Sequence, residues 1–217
     1  MMTLTWEKKH WKHRFNEDKA SWEAQRLFNR VKELSQYFED MWFTKNTPTY
    51  EMLSIKSKSN LPHPQAEHEL PFDLDDCLYI VEPIRGNRSG KFSPSNFSLT
   101  IAPSFFSEIG DLSDEQEKDR DNAILHEMIH MYEFALDEYT EKDHLYHEIL
   151  LYCLYKDLRL GDPNKVPNLD EIIHQKGNLA NLKRIREIGG EHDLLFLLKS
   201  IDLDLQVGAD VGTIFFY

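Results

Sequence analysis

The chain of 217 residues suits one large domain, or a domain with a small appendage. Hydrophobic residues make up 41% of it, which is enough to bury a core and excludes a disordered chain. The net charge of -13 argues against a protein that coats nucleic acid, because phosphate binding depends on clustered Lys and Arg. The two cysteines, Cys77 and Cys153, exclude a disulfide framework and a cysteine-rich zinc ribbon, and favour a reducing compartment.

The first residues lack the apolar stretch of a signal peptide. The longest apolar run, residues 149–155, is far shorter than the roughly 20 residues that span a bilayer. We therefore expect a cytoplasmic protein, or a nuclear one if its source has a nucleus.

The first half of the chain predicts one helix and several strands. Apolar residues recur at helical spacing over about residues 16–42, which predicts a long amphipathic helix. Strands are predicted near residues 49–56, 77–84 and 97–102, with a proline-bearing loop between the first two. Residues 85–91 read as a hairpin tip with three basic side chains, those of Arg85, Arg88 and Lys91.

The second half predicts helices. Ser113 with Gln116 three residues later forms a capping box, so a helix should begin there and run to about residue 137. Another is predicted over 143–160, followed by helical pieces near 168–175, 178–188 and 191–201. The expected fold class is α+β, with the first helix and the helix after Ser113 packed on a short, mainly antiparallel sheet and extra helices at the C-terminal end.

The candidate catalytic motif is HExxH, formed by His126, Glu127 and His130 inside the capped helix. The two histidines project from one helix face, one turn apart, and can reach a single ion. Zinc fits this pair because it prefers nitrogen ligands and leaves a position open for water. Glu127, on the neighbouring side, can accept a proton from metal-activated water as general base.

The third metal ligand must come from elsewhere in the chain. His144 ranks first, since an αα-hairpin after His130 would fold it back over the zinc. Glu148 and His147 follow as alternatives. His192 and His174 are expected on isolated helical segments, with no partner at metal-ligand spacing.

Residues 123–130, Ala-Ile-Leu-His-Glu-Met-Ile-His, resemble the motif helix of the SprT-like metallopeptidases, which include the Spartan proteases. Gly90-Lys91 and the stretch from Ser98 to Pro103 are similar to the glycine turn and strand that precede that helix. The resemblance covers roughly residues 20–160 and implies a zinc peptidase with a third histidine after the motif. The loop at residues 161–167 is the expected boundary between a SprT-like metallopeptidase domain, 1–160, and a helical extension, 161–217, packed on it.

The leading hypothesis is a zinc-dependent metallopeptidase with one Zn²⁺ held by His126, His130 and His144, acting on a protein or peptide. Tyr139, Tyr146 or His147 could donate a hydrogen bond to the oxyanion. DNA-linked targeting is implied by the resemblance but not supported by the net charge. One alternative is a gluzincin-like, ImmA/IrrE-type regulatory protease with Glu148 as third ligand. Another is a non-catalytic binding module stapled by zinc, with a fourth protein ligand closing the site.

Overall fold

The computed structural model of the chain describes residues 22–41, 74–86, 88–106, 112–139, 154, 158, 192 and 194–217. Within these ranges the helices are α1 (Trp22–Leu34), α2 (Asp114–Tyr139) and α3 (Leu194–Val207), and the strands are β1 (Leu78–Val81), β2 (Gly90–Ser93) and β3 (Ser98–Ile101). Short 3₁₀ turns cover Ser35–Met41, Leu74–Asp76, Pro94–Asn96, Pro103–Phe105 and Ile214–Phe216.

The three strands form one mixed sheet in the order β1-β3-β2. β1 lies parallel to β3, whereas β2 is antiparallel to β3 and pairs Phe92 with Leu99. A short 3₁₀ turn joins β2 to β3 and ends at Phe97, whose positive φ of 45° turns the chain back. In the described sheet β2 is therefore an edge strand.

One face of the sheet packs against α1 and α2. Tyr79, Leu99 and Ile101 point to this face, because side chains alternate along each strand. All three are buried. α1 contributes Leu27 and Val31, four residues apart on its apolar side, and neither is exposed to solvent.

A bidentate ion pair also joins the two helices. Arg30 of α1 donates from Nε to Oδ1 of Asp121 over 2.9 Å and from a terminal nitrogen to Oδ2 over 2.5 Å. Fork-to-fork pairs of this kind fix orientation as well as adding energy, so this pair sets how α1 lies across α2.

The start of α2 follows from its sequence. The Gln116 amide N–H donates to Ser113 Oγ over 3.3 Å, and the Ser113 N–H donates to Gln116 Oε1 over 2.9 Å, so the predicted capping box is present. Residues 122–129 of α2 are all buried. The middle of α2 therefore lies in the core, where packing restricts the movement of its side chains.

α3 and the 3₁₀ turn at Ile214–Phe216 cover the side of α2 that carries the histidines. Phe196, Leu198 and Ile201 of α3 are buried in the core. Lys199 is fully buried as well, and its ammonium donates to the Tyr37 carbonyl oxygen over 2.7 Å and to Asp202 over 2.8 Å. Those two bonds supply the partners that a buried ammonium needs.

The expected α+β class is confirmed, with differences in detail. The sheet is mixed, since one of its two strand pairings is parallel, and β2 occupies residues that the sequence predicted as the end of a hairpin tip. The N-terminal helix is shorter than expected, because residues 35–41 continue as a 3₁₀ turn. The strand near 49–56, the helices at 168–175 and 178–188 and the boundary at residue 160 lie outside the described residues. Of the helix predicted at 143–160, only Leu154 and Leu158 are described, and the Leu158 N–H donates to the Leu154 carbonyl oxygen over 2.9 Å.

None of the described helices has both the length and the apolar character needed to cross a bilayer.

Candidate metal centre

His126 and His130 lie on the same face of α2, as the motif spacing predicts. Their ring centroids are 5.3 Å apart. His126 is buried, while His130 is partly exposed toward a cavity of about 550 Å³ that both residues line. The helix therefore presents both imidazoles to one open volume.

His192, which precedes α3, is the third histidine at this place. Its Nε2 lies 3.2 Å from the Nε2 of His130, and its ring centroid lies 5.2 Å from that of His126. One ligand nitrogen from each of the three histidines lies within 4.8 Å of the other two. The expectation that His192 has no partner at metal-ligand spacing is therefore wrong.

The separations suit a small tetrahedral ion. Ligand nitrogens about 2.0–2.1 Å from a tetrahedral zinc ion are about 3.3 Å from each other. The 3.2 Å between the Nε2 atoms of His130 and His192 is close to that value. Three imidazoles and no thiolate form a donor set typical of catalytic zinc sites, in which a fourth position is left for water or substrate.

A backbone carbonyl fixes the orientation of His126. The Nδ1–H of His126 donates to the carbonyl oxygen of Ile214 over 2.8 Å, which leaves Nε2 as the nitrogen available to an ion. Burial lowers the pKa of His126 to about 4, so its ring is neutral at neutral pH, as a metal ligand must be. On the next turn the Glu133 carboxylate lies 3.9 Å from Nδ1 of His130.

Asp204 of α3 holds the segment that carries Ile214. Its side chain accepts hydrogen bonds from the Gly212 N–H over 2.6 Å and from the Ile214 N–H over 3.0 Å. Its own carbonyl oxygen accepts from the Ala209 N–H over 2.8 Å. Burial raises the pKa of Asp204 to about 6, and the hydrogen bonds that its side chain accepts from the Ile214 and Gly212 amides oppose that rise. A chain of contacts thus runs from Asp204 through Ile214 to His126.

The side chain of Glu127 extends from α2 to the edge strand β2. The N–H of Phe92 donates to its Oε2 over 2.5 Å. Gly90 leaves room for its side chain, since a Cβ at position 90 would lie 2.7 Å from Glu127 Cγ. Burial raises the pKa of Glu127 to about 7, against the lowering effect of the Phe92 hydrogen bond and of the Arg88 and Lys91 charges. At neutral pH this carboxyl can therefore take up and release a proton.

Aromatic side chains from the C-terminal segment also line the cavity of the histidine cluster. Phe215, Phe216 and Tyr217 line it, and Phe215 packs edge-on against the His192 ring at a centroid distance of 5.1 Å. The Tyr217 hydroxyl hydrogen-bonds to Asp119 of α2, so the end of the segment is also tied to the motif helix. These rings place aromatic surface beside the histidine cluster.

The other predicted site residues fall outside the described part of the chain. His144, His147, Glu148 and Tyr146 are among them, and so is the side chain of Tyr139. The signal that sequence offered for His192 was its position just ahead of the strongly apolar stretch 194–198. Such a stretch must pack on the core, and here it packs on the motif helix.

Comparison of the chain with protein-family models, with curated proteins and with solved structures found no match. The SprT-like resemblance therefore stays a prediction, and the function has to be argued from the site.

Replacing Glu127 by Gln should stabilise the metal-free protein in a pH-dependent way. The pKa of Glu127 rises from its usual 4.5 to about 7 on folding, so its contribution to stability is present below pH 4.5 and is lost as the pH rises to 7. Glu127→Gln escapes that loss and should exceed wild type by about 3 kcal/mol above pH 7, but match it near pH 4.5. Urea unfolding of both proteins in EDTA measures this gap. The His126 contribution is common to both proteins and cancels, so a gap independent of pH would contradict the prediction.

Removing the Asp204 carboxylate should weaken metal binding. Asp204→Ala leaves the Gly212 and Ile214 amides without their acceptor, so the Ile214 carbonyl no longer fixes His126. We expect zinc affinity, measured by competition with a chromophoric chelator, to fall by about 10–100-fold. Asp210→Ala is the matched control, because it removes one exposed carboxylate from the same loop. Folded Asp204→Ala or Asp204→Asn protein with wild-type zinc affinity would show that Asp204 does not support the site.

Proposed function

We propose that the protein is a zinc-dependent metallopeptidase in which His126, His130 and His192 hold the ion and Glu127 acts as general base. The observation that carries the proposal is the convergence of three imidazole nitrogens within 4.8 Å at a cavity that Glu127 also lines. A buried carboxyl beside a three-histidine cluster is the arrangement that hydrolysis by an activated water requires.

Zinc is the ion that the donor set fits best, because it combines imidazole ligation with a tetrahedral geometry of this size. When bound, it supplies a Lewis acid for the scissile carbonyl and for the attacking water. The protein contributes neutral ligands in a fixed orientation, since burial keeps His126 uncharged and Ile214 holds its Nδ1–H.

Glu127 carries the proton during the reaction. Its carboxylate accepts a proton from the attacking water and passes it to the leaving amine, and a pKa of about 7 suits both steps. The Phe92 N–H and the absent Cβ of Gly90 keep the carboxyl oxygens in place at the edge of β2. These contacts support a positioned base rather than a freely rotating one.

β2 is suited to hold an extended peptide next to Glu127. The Ser89 carbonyl accepts from the Ala102 N–H, so residues 89, 91 and 93 direct their backbone groups toward β3. Gly90 and Phe92 direct theirs away from β3, and no strand among the described residues pairs with that edge. The Phe92 N–H on that edge donates to Glu127. A peptide added there as a further strand would pair with the remaining backbone groups of Gly90 and Phe92 and pass Glu127.

The alternatives receive less support from the same residues. A structural zinc staple needs a fourth protein ligand, whereas the cluster found in the described part of the chain has three members. The gluzincin-like set needs Glu148, which lies outside the described residues, and His192 already provides a third ligand at suitable distance.

Zinc content tests the ligand set directly. Purified without added metal, the wild type should carry about one zinc per chain. His192→Ala should carry little, because it removes a nitrogen 3.2 Å from that of His130. His144→Ala is the matched comparison and should keep its zinc. If His192→Ala kept about one zinc per chain and His144→Ala lost it, the third ligand would be His144 and not His192.

Cleavage by Glu127→Gln tests the mechanism. The amide still accepts the Phe92 hydrogen bond but cannot take a proton from water, so zinc content should be unchanged and peptide hydrolysis should fall by at least about 100-fold. Hydrolysis of a denatured protein such as casein, followed by gel and by mass spectrometry, provides the measurement. A zinc-loaded Glu127→Gln protein that cleaves as fast as wild type would remove Glu127 from the mechanism.

A further inference from the structure

The face of the sheet that turns away from α1 and α2 carries a second cavity, called here the outer cavity. Its volume is about 750 Å³. Hydroxyl and amide side chains line it, and two of them, Ser98 and Thr100, are buried in β3 and form its floor. Three cationic side chains stand around them: Arg85, Arg88 and Lys91.

These cations form no salt bridge with the described residues, although the charges of Arg88 and Lys91 act on the buried Glu127 carboxyl. Glu82 also lines the outer cavity, yet neither it nor any other described carboxylate forms a salt bridge with Arg85, Arg88 or Lys91. The whole chain has 38 acidic against 25 basic residues. In such a chain, three neighbouring cations that form no salt bridge create a local positive potential, which attracts a negatively charged ligand.

The outer cavity adjoins the cavity of the candidate metal centre. Arg88 and Lys91 line both cavities. Lys91 points to the outer face of β2, whereas Glu127 approaches the same strand at Gly90 and at the Phe92 N–H. A polypeptide that lies along β2 therefore passes the carboxylate with one part and the cationic side chains with another.

We propose that Arg85, Arg88 and Lys91 form a binding site for an acidic segment of the polypeptide substrate, so that the enzyme prefers proteins with Asp or Glu close to the cleaved bond. This inference rests on the proposed peptidase function, since it specifies the substrate of the same site. A polypeptide is favoured over nucleic acid because three cations match a short run of carboxylates, whereas a long phosphate backbone would also meet the rest of a chain whose net charge is -13.

Binding to an inactive protein separates this inference from catalysis. In the Glu127→Gln background, fluorescence anisotropy compares two labelled peptides, each about 12 residues long, that differ in carrying three Glu or three Gln. The Glu peptide should bind about tenfold more tightly at low salt, and added salt should reduce the difference. In Arg88→Glu/Lys91→Glu the preference should disappear or reverse. Single Arg88→Gln and Lys91→Gln proteins should each lose part of it, whether or not the double variant folds.

Lys32→Glu/Lys118→Glu is the matched control, because it makes the same charge change at exposed positions on α1 and α2. It should keep the preference for the Glu peptide. Equal binding of the two peptides, no binding of either, or a preference that survives Arg88→Glu/Lys91→Glu would overturn the inference. So would displacement of the peptide by a single-stranded oligonucleotide that binds more tightly and depends on the same two residues.

The outcomes for the two proposals are distinct. Specific binding of the Glu peptide without any hydrolysis by zinc-loaded wild type would contradict the peptidase function and leave the acidic site standing. Hydrolysis that is equally fast for Glu and Gln peptides, with equal KM, would contradict the acidic site alone.

Discussion

The candidate metal centre depends on one buried hydrogen bond, from Nδ1 of His126 to the carbonyl oxygen of Ile214. It joins two residues 88 positions apart and is made where a helix of the core meets the C-terminal segment. Because a buried imidazole with an unmet N–H is costly, this bond stabilises the contact between α2 and the C-terminal segment as well as the ring orientation. The same hydrogen bond therefore orients the His126 ring and holds the C-terminal segment against α2.

Glu127 is also buried, and burial disfavours its charged form. The Phe92 N–H donor and the positive charge of Lys91, both on β2, and the positive charge of Arg88, just before β2, oppose this effect. Gly90 is needed for that arrangement, because any side chain there would meet Glu127 Cγ. Strand β2 thus determines both where the carboxyl sits and how easily it ionises, although it spans four residues.

The sequence predicted what local patterns encode. The capping box and the HExxH face depend on residues three and four apart, so both were predicted and are present. β2 was missed because Gly90, Lys91 and Ser93 have weak strand propensity and the strand is defined by pairing with β3. His192 was missed because 62 residues separate it from His130, and no spacing rule relates them. Tertiary packing alone brings them together.

The charge distribution connects the site to its surroundings. A chain with net charge -13 repels acidic polypeptides on average, so a substrate of that kind would be admitted where the local potential is positive. Arg88 and Lys91 supply that potential at the strand along which a peptide would lie, and they face both cavities. In the proposed peptidase, the net negative charge would therefore disfavour the binding of acidic polypeptides elsewhere on the protein and favour their approach to β2, beside Glu127.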